Sequence, residues 1–198
     1  LEAGQYTSEL LPGGDIRTDI PAYRVFENGE HSATLGDATP YYTPDMVSFL
    51  IGCSFTFETA LQDNGIEVAH IAQQRNVPMF KTSIPTTPAG VFSGPMVVSM
   101  RPIPAAQVSD AVRITSRYPS VHGAPVHVGD PAAIGIADLS CPDFGEPVEV
   151  PDDCLPVFWA CGVTPQAIVM ESKPRLAITH APGQMLVTNA RDQDFLIP

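Results

Sequence analysis

Positive charge is what this sequence has least of: 10 lysines and arginines stand against 22 acidic residues, for a net charge of −12. No Lys/Arg cluster exists to displace counterions from a phosphate backbone, so nucleic acid is not expected as a partner. Long apolar runs are missing too. None approaches the roughly 20 residues that a membrane-spanning helix needs, and the opening stretch LEAGQYTSELLPGG has no basic segment followed by an apolar one. Neither membrane insertion nor targeting is expected, and a cytoplasmic location is. The four cysteines, Cys53, Cys141, Cys154 and Cys161, lack C-x-x-C spacing, which argues against a zinc ribbon and for free thiols in a reducing compartment. Low-complexity segments and internal repeats are absent as well.

What is present is a hydrophobic fraction of 44% in 198 residues, enough for one sizeable core or two small lobes. The 21 prolines are spread along the chain rather than gathered in a linker. TPDMVSFLIGCSFTFETALQDNG predicts a helix, with Thr43 as cap, Pro44 in the first turn and Asn64-Gly65 as the stop. Gly52 marks a kink or close approach within it. IEVAHIA, PMVVSMRPI, AAIGIADL, LPVFWACG and LAITHAPG read as strands, PAAQVSDAVRIT and VTPQAIVMES as helices. Strands alternating with helices predict an α/β fold, a mixed sheet flanked by helices in two packed lobes, with an inserted lobe at about residues 70–150.

Several segments carry chemistry. In ACGVTPQ a strand turns into a helix with Thr164 as cap, and Gly162 allows close approach. Its backbone N–H groups and Gln166 suit a small carboxylate, with Cys161 at the edge. His180 in THAPGQM ends another strand-like run and can meet Cys161 in one crevice if their strands are neighbours. SVHGAPVHVGDP offers His122, His127 and Asp130 on a rigid Gly/Pro framework, as acid/base groups, as metal ligands or as a brace for the turn. No third ligand lies in that segment, so no metal is assigned. In GCSFTFE, Cys53 is a core thiol or a nucleophile, and Glu58 among phenylalanines must be paired or used. Arg101 and Arg117 adjoin apolar runs, where they can clamp a carboxylate or form salt bridges.

Taken in order, DIRTDIPAYRVF, FLIGCSFTFE, VPMFKT, AGVFSGPMVVSMRPI, ITSRYPSVHGAPVHVGDPAAIGIADL, PVFWACGVTPQAIV and ITHAPGQMLVT resemble the D-glutamate cyclase-like family of hydro-lyases, from about Asp15 to about Thr188. Family members carry a further N-terminal region with a Gly-Pro-Thr-type motif that is missing here. The chain has Tyr41-Tyr42-Thr43 where relatives read a Trp-Arg pair, and Gln184 where His is common. The resemblance implies elimination of water from a small amino or carboxylic acid, for the cyclase the closure of D-glutamate to 5-oxo-D-proline. It implies no cofactor, and in eukaryotic relatives a mitochondrial location.

On that implication the substrate contacts fall to Arg101 or Arg117, the Gly162 to Gln166 turn, Glu58 and Cys53. The catalytic candidates are His122, His127, Asp130, His180 and Cys161. Two other classes stay open: a non-catalytic module that binds 5-oxoproline, glutamate or a related acid, and a metal-dependent enzyme using His122, His127 and His180. Homo-oligomerisation is left open too.

Overall fold

The computed structural model describes residues 1–198 and divides into two compact units. The first comprises Leu1–Ile51 and Ile168–Arg191, the second Gly52–Ala167 and Asp192–Pro198. No helix is long and apolar enough to cross a membrane. Strands and helices combine as expected for an α/β chain, but every strand pair is antiparallel. The parallel component of a mixed sheet is missing because the segments joining neighbouring strands bring the chain back in the opposite direction.

In the first unit, β1 (Tyr23–Glu27) lies between β2 (Glu30–Leu35) and β7 (Leu176–His180). The β1–β2 turn is Asn28-Gly29, with φ of 52° and 81°, the pair of left-handed residues that a two-residue hairpin requires. Tyr23, Val25 and Phe26 are buried. The Tyr23 hydroxyl donates to the Ile16 carbonyl at 2.8 Å and accepts from the Ile20 amide at 3.0 Å, tying residues 16–20 to the sheet.

The helix expected from Thr43 does not form until much later. Residues 42–53 are irregular, a 3-10 turn follows at Ser54–Phe57, and the regular helix α1 is only Glu58–Asp63. Met46 and Ser48 spend their carbonyls on the Gly4 amide and the Leu1 amine, and Thr43 donates to the Asp45 carboxylate instead of capping. Of the apolar stripe that a helix would form from Val47, Leu50, Ile51, Phe57 and Leu61, Val47 and Ile51 are exposed and Leu50 is half-buried, whereas Phe57 and Leu61 are buried.

The second unit is built on a four-stranded sheet in the order β3-β4-β6-β5: β3 (Met79–Pro85), β4 (Pro95–Pro104), β6 (Cys154–Ala160) and the short β5 (His127–Val128). β4 is buried continuously from Val97 to Ile103, because both faces of the sheet are covered. One face carries Phe57, Leu61, Ile103, Val157 and Trp159 together with α1 and α3 (Val108–Thr115). The other carries Phe80, Val98, Met100 and Phe158 with Ile134, Ile136 and Val148. Trp159 donates its indole N–H to Thr115 Oγ1 at 3.1 Å, which in turn donates to the Ala111 carbonyl, so even the largest core side chain is satisfied.

Two segments read as strands take other forms. Within IEVAHIA the chain makes the short helix α2 (Ala69–Ala72), with Ile66, Val68, Ala69 and His70 buried. A run this short carries no clear period, and helix and strand are equally compatible with it. AAIGIADL begins as a 3-10 turn at Pro131–Ile134, capped by the Asp130 carboxylate at the Ala132 amide and ended by Gly135 at φ 80°. A Cβ there would lie 3.0–3.2 Å from Ser83. The last helix, α4 (Thr164–Ser172), forms where expected.

Candidate functional site

The odd-numbered positions of β4 face the core that contains Phe57 and Trp159, and there period two places Ser99 and Arg101 side by side. Arg101 is 1% exposed. Its guanidinium lies 5.2 Å from the Phe57 ring centroid and 5.4 Å from that of Trp159. A charge so deep must be paired and hydrogen-bonded. Nε donates to Glu58 Oε1 at 2.9 Å and Nη2 to the same oxygen, while Nη1 reaches Ser99 Oγ and Nη2 reaches Ser54 Oγ, each at 3.1 Å.

Glu58 opens α1, and Ser54 lies one turn before it. His70 of α2 places Nε2 3.3 Å from Glu58 Oε1. Burial pushes the Glu58 carboxyl up, but the His70 hydrogen bond and the Arg101 charge outweigh it and hold it below the usual carboxylate range. The other imidazole nitrogen of His70, Nδ1, is buried without a partner.

His122 follows the 3-10 turn Pro119–Val121 and has φ 82°, a left-handed conformation that costs a residue with a side chain about 1–3 kcal/mol. Its Nε2 is buried and unpartnered. Burial pushes its pKa down and the Arg101 charge pushes the same way, against a hydrogen bond with the Gly52 backbone. Gly52 is required for this approach: a Cβ there would lie 2.4 Å from Val121 Cγ1. The glycine of GCSF and the SVHG turn thus fit each other, which fixes His122 where the Arg101 charge acts on it.

The Arg101 charge acts on both Cys53 and Cys161. Burial pushes both thiols up, so neither is a ready thiolate near neutral pH. Cys161 Sγ rests 3.5 Å from Met79 Sδ. In the turn after it, Thr164 Oγ1 accepts from the Val97 amide at 3.0 Å and donates to the Val97 carbonyl at 3.1 Å. That hydroxyl stitches α4 to β4, while Gly162 stays exposed and Gln166 half-buried.

The remaining candidates lie elsewhere. His127 Nε2 is 2.7 Å from the Asp130 carbonyl, and its ring packs on Phe158 of the opposite core. Asp130 caps the next turn, so this half of SVHGAPVHVGDP braces the chain, and the structure does not bring His122 and His127 together. Arg117 donates to the Ile197 carbonyl at 3.0 Å beside a cleft of about 190 Å³ that Asp63, Asn64 and Arg113 also line. His180 belongs to the first unit, at the end of β7, with Nδ1 2.8 Å from the Ala181 carbonyl. No three His, Cys, Asp or Glu side chains converge as a metal site. Ser99 and His70 went unnoticed in the sequence. The readable signal for Ser99 was a serine two residues before an arginine inside an apolar strand. For His70 there was none beyond a histidine in a short apolar run.

Comparison with known proteins shows the family. A family model described as D-glutamate cyclase matches residues 47–189. Among curated relatives, a protein of Corynebacterium urealyticum is 71% identical over 198 residues, covering 100% of this chain and 76% of its own. One from Mycolicibacterium gilvum is 62% identical over the same share of both chains. One from Bacillus licheniformis is 59% identical over 95% of this chain and 72% of its own. All three bear the name "Putative hydro-lyase".

Proposed function

Because the chain belongs to the D-glutamate cyclase family, we propose that it is a hydro-lyase that removes water from a small amino dicarboxylate, with D-glutamate as substrate and 5-oxo-D-proline as product. The observation that supports this is His122, a half-buried residue on a strained backbone whose Nε2 is buried without a partner and on which the Arg101 charge acts. Backbone strain and an unsatisfied buried group are both costly, and they persist where function uses them.

In the reaction the substrate nitrogen attacks its own side-chain carboxyl carbon. The N–C bond forms, a C–O bond breaks, and two protons from the ammonium group leave with that oxygen as water. Ring closure is intramolecular, so the protein's main tasks are to hold the folded substrate and to move protons. Burial keeps His122 neutral at neutral pH, the form that accepts a proton from the ammonium and returns it to the departing oxygen. Arg101 has donors committed to Glu58, Ser99 and Ser54 and acts through its field. The carboxylate anchor falls to the open Gly162 end of the turn and to Gln166. Four cysteines without disulfides support a cytoplasmic setting.

The test is incubation of purified protein with D-glutamate and detection of 5-oxo-D-proline by chiral chromatography. His122→Ala is expected to lower turnover by about 100-fold or more while its circular dichroism stays that of the parent. Full activity in that variant would remove His122 from the mechanism. Binding without turnover by the parent would replace the enzyme with a carboxylate-binding module.

A further inference from the structure

The Glu58–His70 contact has a direction. Glu58 Oε1 already accepts from Arg101 Nε and Nη2, and it is held ionised. A lone pair on His70 Nε2 would face an anionic oxygen at 3.3 Å, so that nitrogen carries the proton. In the neutral ring Nδ1 is then a bare acceptor, buried and without a partner, on a residue that is 6% exposed. The neighbouring Phe55 ring, 6.1 Å away between centroids, is 41% exposed. A carboxylate that fixes one ring nitrogen of a histidine so that the other can take a proton is a recurring arrangement for general bases. Here Arg101 adds a reason for Glu58 to stay ionised and stationary.

The chemistry has work for two such groups. Lactam closure transfers two protons from the substrate nitrogen to the oxygen that leaves, one before the N–C bond forms and one after. One imidazole accounts for one transfer at a time, and the second unit holds two buried imidazole nitrogens without partners, His122 Nε2 and His70 Nδ1. We propose that His70 is the second proton-transfer group of the reaction, a catalytic base whose Nδ1 takes one proton from the substrate nitrogen and returns it to the departing oxygen, with Glu58 as its positioning residue. This rests on the hydro-lyase assignment for the chemistry, while the tautomer it requires does not.

The experiment is nitrogen-15 NMR of histidine-labelled protein near neutral pH, with and without 5-oxo-D-proline, alongside kinetics of His70→Gln. The expected spectrum shows His70 protonated at Nε2 and bare at Nδ1, with the Nδ1 signal moved by 5-oxo-D-proline. His70→Gln keeps a donor toward Glu58 without a basic nitrogen, and is expected to lose about 100-fold in kcat on D-glutamate. A proton on Nδ1, no response to the ligand, or parental kcat in a folded His70→Gln would each overturn the proposal. If parent protein leaves D-glutamate unchanged, the substrate assignment fails and the role of His70 in that closure falls with it; if the parent turns D-glutamate over and folded His70→Gln keeps its kcat, the His70 proposal alone fails. Should His70→Gln not fold, the parent spectra decide alone.

Discussion

Arg101 shows what a single buried charge demands. Its pairing with Glu58 and the two serines offsets a desolvation cost that hydrophobic neighbours would not have raised, so the pair is fragile when halved. Glu58→Gln and Arg101→Met are each expected to lower unfolding free energy by about 3–5 kcal/mol in urea titrations. The double variant should cost less than the sum, because neither charge is then left alone. Gly52→Ala tests the neighbouring contact: its methyl would meet Val121 at 2.4 Å, and overpacking of this kind costs about 1–3 kcal/mol. The same methyl pushes on the turn that holds His122, so turnover should fall in Gly52→Ala even where the protein remains folded.

At the scale of elements, the strands were more legible than the first helix. PMVVSMRPI, LPVFWACG and LAITHAPG are strands because dense β-branched and aromatic residues between turn signals suit a pleated surface. The segment before GCSF has a helical spacing of apolar residues, yet its carbonyls are taken by the first residues of the chain, a competition that local periodicity does not register. Asn28-Gly29 carried a strong hairpin signal in plain view. Gly29→Ala should destabilise the β1–β2 hairpin measurably in thermal unfolding, since φ is 81° and a Cβ would lie 2.9 Å from the Lys173 Cα.

For the whole molecule, pH is the informative variable. Glu58 has a pKa below its ordinary value near 4.5, so its contribution is complete above that pH and is lost as pH falls through the folded-state value. His122 is also depressed, from an ordinary value near 6.5. Below that pH the unfolded chain binds a proton that the folded chain refuses, and stability again falls. Both shifts have the same sign, so denaturant midpoints should decline from about pH 6.5 downward. His122→Asn, which tolerates the left-handed backbone, should remove the upper part of that decline.

The α/β class, the strands at PMVVSMRPI, LPVFWACG and LAITHAPG, the scarcity of basic residues and the family were legible in the sequence alone, because each depends on residue type and on spacing along one stretch of chain. The site was decided by tertiary structure. Glu58, His70 and the Ser99–Arg101 pair come from three different elements, and only packing α1 and α2 over β4 brings them within hydrogen-bond reach. The same packing separates His122 from His127, five positions apart in sequence, by giving them to opposite cores of one sheet. Spacing could nominate both histidines; only packing gave His127 to Phe158 and left the Arg101 charge acting on His122.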